Sequence, residues 1–187
     1  KEVTADDVMN DQVIWLGVMT RLMACPPTCG GAAAILVSEK FADQHGLNKQ
    51  VRIAAQAMTT DTPSTFGASD MMQVVGYDMA RDAASKVYEA AGIGPADLDV
   101  VELHDCFAHN ELITYEGLGL CGEGEAAKFI DDGDNSYGGR IVTNPSGGLL
   151  SKGHPLGATG LAQCYELTRQ LRGTAAATQV EGARLGL

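Results

Sequence analysis

Aromatic residues, basic charge and long apolar runs are all scarce in this sequence. Phe, Trp and Tyr make up 5% of its 187 residues, too few for a sandwich with an aromatic core. The 23 glycines suit a compact α/β protein with tight turns instead. Lys and Arg number 13 against 24 Asp and Glu, a formal net charge of −11. Such a chain repels phosphate backbones and anionic lipid surfaces, which argues against nucleic-acid and membrane-surface roles. No apolar stretch approaches the roughly 20 residues that span a bilayer, so membrane insertion is not expected, and no signal-peptide pattern is visible. Cysteines number 5. An odd count at irregular spacing is not a disulfide framework, so free thiols in a reducing compartment are expected. Cys25 and Cys29 are spaced like half a zinc ribbon, but no second pair follows, and no metal site is expected. The default compartment is the cytoplasm.

What is present reads as strands alternating with helices. Residues 1–20 look partly helical, with Thr4 and Asp6 as candidate caps. ACPPTCGG (24–31) is a turn-rich loop. AAAILV (32–37) and VRIAAQAM (51–58) are apolar runs of strand length. Residues 38–46 suit a short helix ended by Gly46. Over 69–92 the spacing of Met72, Val75, Met79, Ala83, Val87 and Ala90 predicts a helix, with Ser69 as N-cap, a possible break near Gly76, and Gly92 as its stop. LDVVEL (98–103) is a strand, 108–119 a helix, 122–140 a polar loop, 158–172 an amphipathic helix, and Arg184 onward another strand. This alternation argues for a layered α/β sheet.

Two segments carry chemistry. His104, Asp105 and Cys106 follow directly on an apolar strand and precede a helix, the mouth of a strand where α/β sheets bind ligands. His154 sits between Gly153 and Pro155 in a glycine-rich loop opening onto a helix, whose N-terminal N–H groups favour negative charge. Alone, His104 reads as a core histidine and Cys106 as a small buried hydrophobe. Together with His154 they read as a site for acyl transfer or carbanion chemistry. A thiol beside an imidazole can exchange a proton, and an imidazole N–H can stabilise an enolate or oxyanion. Asp105 and Glu111 could orient the site, and a helix-start role is equally good for both. Cys25, Cys29, Cys121 and Cys164 default to structural thiols, His45 and His109 to surface positions, and the acidic run 131–134 to a solvated loop. The Met-rich stretch of Met71, Met72 and Met79 reads as packing.

HDCF (104–107), NELITYEGLGLC (110–121), NPSGGLLSKGHPLGATG (144–160) and LAQCYEL (161–167) resemble the sterol carrier protein X type of thiolases. CPPTCGGAAAILVSE (25–39) and VVGYDMARDAASKVYEAAGI (74–93) extend the resemblance over nearly the whole chain. It implies a thiolase-like layered α-β-α-β-α fold. Residues 1–50 would be the end of the N-terminal half. Residues 51–187 would be the C-terminal half without its last strands. The chain opens at Lys1, not Met, and is expected to be a piece of a longer protein.

The same resemblance implies roles. His154 would help form the oxyanion hole for a thioester. His104 would stand where most thiolases have asparagine and help hold a water or the thioester oxygen. Cys106 would be the acid/base at the α-carbon. Asn144, Ser146, Gly147, Gly148 and Gly153 would shape the loop around the acyl-CoA. The nucleophilic cysteine belongs to a part of the fold not in this chain. The implied activity is thiolysis of a 3-oxoacyl-CoA, or the reverse Claisen condensation, in fatty-acid or steroid side-chain metabolism. Coenzyme A is a substrate and no cofactor is expected. A homodimer is expected, in the peroxisomal matrix if the source is a eukaryote. Two alternatives stand beside this: a retro-aldol lyase of the same fold working with a small partner protein, and a non-catalytic lipid carrier.

Overall fold

The computed structural model describes residues 2–67 and 69–187. Its first stretch holds helix α1 (Ala5–Met9) and a small antiparallel hairpin of β1 (Val13–Trp15) and β2 (Met19–Thr20). The cap of α1 is Thr4, whose hydroxyl accepts the Asp7 N–H while the Asp7 carboxylate accepts the Thr4 N–H. The second acidic cap is therefore Asp7, not Asp6, because a capping box needs its acid three residues on. The hairpin was not legible as one. Its residues from Val13 to Leu16 are all solvent-exposed, so no inward–outward alternation marks it.

Helix α2 (Glu39–Gln44) is capped by Ser38 and followed by Gly46 at φ +61°, as expected. AAAILV and VRIAAQAM are a correction: neither run forms a strand. Ile35 is 91% exposed and Met58 89%. A β-strand needs a neighbour for its N–H and C=O groups, and among the described residues no backbone hydrogen bond joins either segment to another.

Helices α3 (Ser64–Gly67), α4 (Met71–Val74) and α5 (Tyr77–Ala91) follow. The break that the spacing allowed falls at Gly76, which is left-handed at φ +92°. Asp70 rather than Ser69 caps α4, its carboxylate accepting the Met72 N–H at 2.9 Å. Ser69 itself takes φ +52°, which is not a cap geometry. The split also turns the buried face: α5 buries Tyr77 and Ala84, while Val75 and Met79 are exposed. Gly92 stops the helix at φ +68°.

The core lies in the second half. Strand β3 (Val100–Val101) pairs in parallel with β4 (Val142–Thr143), and Gly186 bridges in parallel to Val100 on the other side. The strand expected from Arg184 onward is thus seen in the pairing of 185–187 with β3. Because side chains alternate along a strand, the two valines of β3 serve opposite layers. Val101 packs with Leu98, Leu103, Tyr115, Leu120, Phe129 and Ile141 beneath α6 (Ala108–Gly117) and α7 (Ala126–Asp131). Val100 packs with Val142 and Val180 against Leu167 of α9 (Thr159–Leu171). Both faces are covered by helices, the usual state of a parallel sheet. Helix α7 is a correction to the polar loop expected over 122–140. Its burial of Ala126 and Phe129 draws a short segment into helix against its local polarity. No helix among the described residues is long and apolar enough to cross a membrane.

Candidate active site

The two candidate loops leave the carboxyl ends of adjacent parallel strands, β3 and β4, where open α/β sheets place ligands. The first is 104–107. The second runs from Asn144 through the short helix α8 (Gly148–Lys152) to His154 and the start of α9.

A set of side-chain bonds locks the loops together. Asp105 is buried, and its two carboxylate oxygens accept the N–H groups of Leu149 (2.7 Å) and Leu150 (3.2 Å). These are unpaired donors at the start of α8. Asp105 therefore has a helix-start role, but for α8 rather than for the helix that follows it in sequence. Asn144 Oδ1 accepts the Leu103 N–H at 2.9 Å. The buried Glu102 accepts both the N–H (3.1 Å) and the hydroxyl (2.7 Å) of Ser146, and Lys152 donates to that same hydroxyl. Burial nonetheless pushes the Glu102 carboxyl above its ordinary range, with the Ser146 bonds pulling back. Gln163 of α9 donates to the Leu103 carbonyl at 2.8 Å.

The glycines of the second loop are required by close approach. Gly148 has φ +58°, and a Cβ there would lie 2.1 Å from Asp105 Oδ2. Gly153 has φ +92°, and a Cβ there would lie 1.7 Å from Thr28 Oγ1. Gly147 is also left-handed, at φ +94°. No side chain fits at Gly148 or Gly153 while Asp105 and Thr28 keep their places.

This scaffold brings His104 and His154 edge to face, ring centroids 4.7 Å apart at 87°. His154 Nδ1 lies 2.7 Å from the Thr159 hydroxyl. That hydroxyl also approaches the Pro155 carbonyl at 3.2 Å, but the carbonyl already accepts the N–H groups of Ala158 and Thr159. A carbonyl has two lone pairs, so the hydroxyl proton goes to Nδ1. On that count the neutral imidazole carries its own proton on Nε2 and is a donor there. Sequence reading missed Thr159, although its place five residues after His154 at a helix start was a usable signal.

The proton affinity of His104 is lowered, first by desolvation and then by the charge of His154, with Asp105 pulling the other way. Its ring stays neutral near pH 7. The Cys106 thiol is pushed up, chiefly by burial and next by Cys25, so it is a protonated thiol near pH 7. Cys106 follows His104 by two residues but hydrogen-bonds to neither imidazole among the described residues. Its carbonyl accepts the Cys25 N–H at 2.9 Å. Asn110 donates to the His104 carbonyl at 2.6 Å. Glu111 accepts a hydrogen bond from Tyr115, which is also bonded to Thr143 and Asn135. Burial raises the Glu111 carboxyl.

Cys164 is a correction: it is exposed on α9 beside a 41%-exposed Leu161, not a buried hydrophobe. Cys121 packs against the core beneath α6, where burial pushes its thiol up to about 11. Beside Gly153 lies a crevice of about 190 Å³, lined in part by Thr28, Cys29, Lys152, Thr159 and Glu166.

The chain is similar to sterol carrier protein 2 of Rattus norvegicus, 56% identical over 187 residues, covering 100% of this chain and 34% of that protein. It is 37% identical over 180 residues to benzoylsuccinyl-CoA thiolase subunit BbsB of Thauera aromatica, covering 96% of this chain and 46% of the relative. The chain thus spans about a third to a half of these relatives. Among solved structures, the Ltp2-ChsH2(DUF35) aldolase shares the fold at a TM-score of 0.68 and 22% identity, over 97% of this chain and 46% of that one. Residues 60–187, which hold His104, His154, Cys106 and the parallel strands, match the family described as thiolase C-terminal domain-like, and the chain belongs to that family.

Proposed function

We propose that this chain supplies the acid/base and oxyanion-stabilising half of an enzyme that breaks or makes carbon–carbon bonds in acyl-CoA thioesters. The observation that carries the reading is the imidazole pair at the carboxyl ends of β3 and β4, with His154 Nδ1 held by Thr159. Two imidazole N–H donors can face one oxygen on which charge develops. In the thiolytic direction a 3-oxoacyl-CoA is cleaved and an enolate forms. His104 and His154 stabilise its oxygen, and the thiol of Cys106 gives its proton to the α-carbon. A thiol held protonated near neutral pH suits that donor role. The nucleophile that takes the acyl group is a cysteine elsewhere in the protein. Coenzyme A is substrate, and the acyl group is fatty or steroid side-chain in kind.

The thiolase name of the Thauera relative supports this reading. A lipid carrier fits less well, because the crevice beside the site is small and includes Lys152 and Glu166. The test is CoA-dependent cleavage of a 3-oxoacyl-CoA by the intact protein, alone and as Cys106→Ala. The expected loss is about 10²–10⁴-fold in kcat. CoA-independent cleavage of a hydroxyacyl-CoA, with no thiolysis, would overturn the reading in favour of a retro-aldol lyase working with a small partner protein.

A further inference from the structure

We propose that Cys25 and Cys106 form a reversible disulfide, a modification site whose oxidant is a low-molecular-weight disulfide such as oxidised glutathione. The loop 24–31 does not drift past the site but pairs with it. Ala24 and Phe107 form an antiparallel bridge, and the Cys25 N–H donates to the Cys106 carbonyl at 2.9 Å. That register sets Cys25 directly opposite Cys106, and opposed residues of an antiparallel pair project to the same face. Residues opposed across an antiparallel pair have Cα atoms about 4.5–5.5 Å apart, inside the roughly 4.4–6.8 Å that a disulfide spans. Pro26 and Pro27 follow Cys25 and restrict the backbone that leaves it. The charge of Cys25 is the second cause, after burial, of the raised Cys106 thiol, so the two sulfurs share an environment. Both residues are partly exposed, which admits a small oxidant.

The other thiols are placed differently. Cys29 lines the crevice with Lys152 and Pro155, Cys121 packs on the core and Cys164 is exposed on α9. The chemistry balances as two exchanges. The Cys25 thiolate attacks one sulfur of oxidised glutathione, forming a mixed disulfide and releasing one glutathione. The Cys106 thiolate then displaces the second glutathione, closing the protein disulfide. The protein loses two protons and two electrons, and one glutathione disulfide becomes two thiols. Resting on the acid/base reading of Cys106, the closed disulfide removes the proton donor and turnover stops until reduction.

The experiment treats the intact protein with oxidised glutathione, blocks free thiols with iodoacetamide and digests it without reductant for mass spectrometry. A linked Cys25–Cys106 peptide pair, dissolved by dithiothreitol and still formed by Cys29→Ser, is the expected result. Cys25→Ser should leave Cys106 alkylated or carrying glutathione. Recovery of wild-type Cys106 alkylated, carrying only glutathione, or joined to any other cysteine overturns the proposal, as does a Cys25–Cys29 link. Turnover read on portions withdrawn before alkylation should fall at least tenfold with the linked pair and return on reduction. A linked pair with unchanged turnover would uphold the disulfide and overturn instead the acid/base role of Cys106.

Discussion

At the scale of single residues, the proposed chemistry depends on where three protons sit. Thr159 directs the His154 tautomer through Nδ1. Replacing it with Val should lower kcat by ~10-fold or more with little change in KM, and Thr159→Ser should restore most of the loss. ¹⁵N shifts of the His154 ring check the cause, since a merely packing role would not move the proton between nitrogens. The depressed proton affinity of His104 predicts the acid side of the pH profile. The rate should rise with pH through a group below the ordinary histidine value of about 6.5. The same shift contributes stability that is full above that value and is lost as pH falls through the folded one, because the unfolded chain then binds the extra proton. On the alkaline side the raised Cys106 thiol should keep thiolysis active past the ordinary thiol range of about 8–9. A decline centred well below pH 8 would remove Cys106 as the proton donor.

At the scale of elements, α8 is the piece that couples the loops. It has only five residues, too short to persist by its own hydrogen bonds, and Asp105 accepts two of its first N–H groups. Gly148→Ala would both strain a left-handed residue and drive a methyl into Asp105. The expected cost is about 2–5 kcal/mol, from overpacking and strained backbone together. The check is urea unfolding of the variant against wild type, with unchanged m showing an unchanged folded state. Tyr115→Phe removes the hydroxyl shared by Glu111, Thr143 and Asn135. It should cost about 1–3 kcal/mol by leaving buried polar groups unpaired, and the same unfolding measurement reads it.

At the scale of the whole molecule, the two parts of the chain differ in kind. Residues from Leu98 onward surround a sheet covered on both faces. Before them, Trp15, Leu16, Ile35, Leu36, Ile53, Met58 and Phe66 are each more than half exposed. So much apolar surface outside a core marks a contact region or an aggregation hazard. The 187-residue chain by itself should therefore bind a hydrophobic dye strongly and sediment as more than the 19.6 kDa monomer. Light scattering of the separated species checks this; a dye-silent monomer would mean that these segments fold back to cover themselves.

Local chemistry in the sequence already determined much of this. The cap at Thr4, the stops at Gly46 and Gly92, the strand into His104 and the helix after His154 all follow from short-range rules of capping, left-handed glycine and apolar period. His104, Cys106 and His154 could be picked out as candidates because they stand at a strand end and in a glycine loop, where packing alone gives little reason for them. Tertiary structure decided what depends on contacts between distant residues. It withheld strand pairing from 32–37 and 51–58, whose backbones find no hydrogen-bonding partner among the described residues, and drew α7 out of a polar stretch by burying Phe129. It also set Asp105 under α8 and Cys25 opposite Cys106. Hydrogen bonds across 44 and more residues leave no period or spacing in the chain, so only the folded molecule could reveal them.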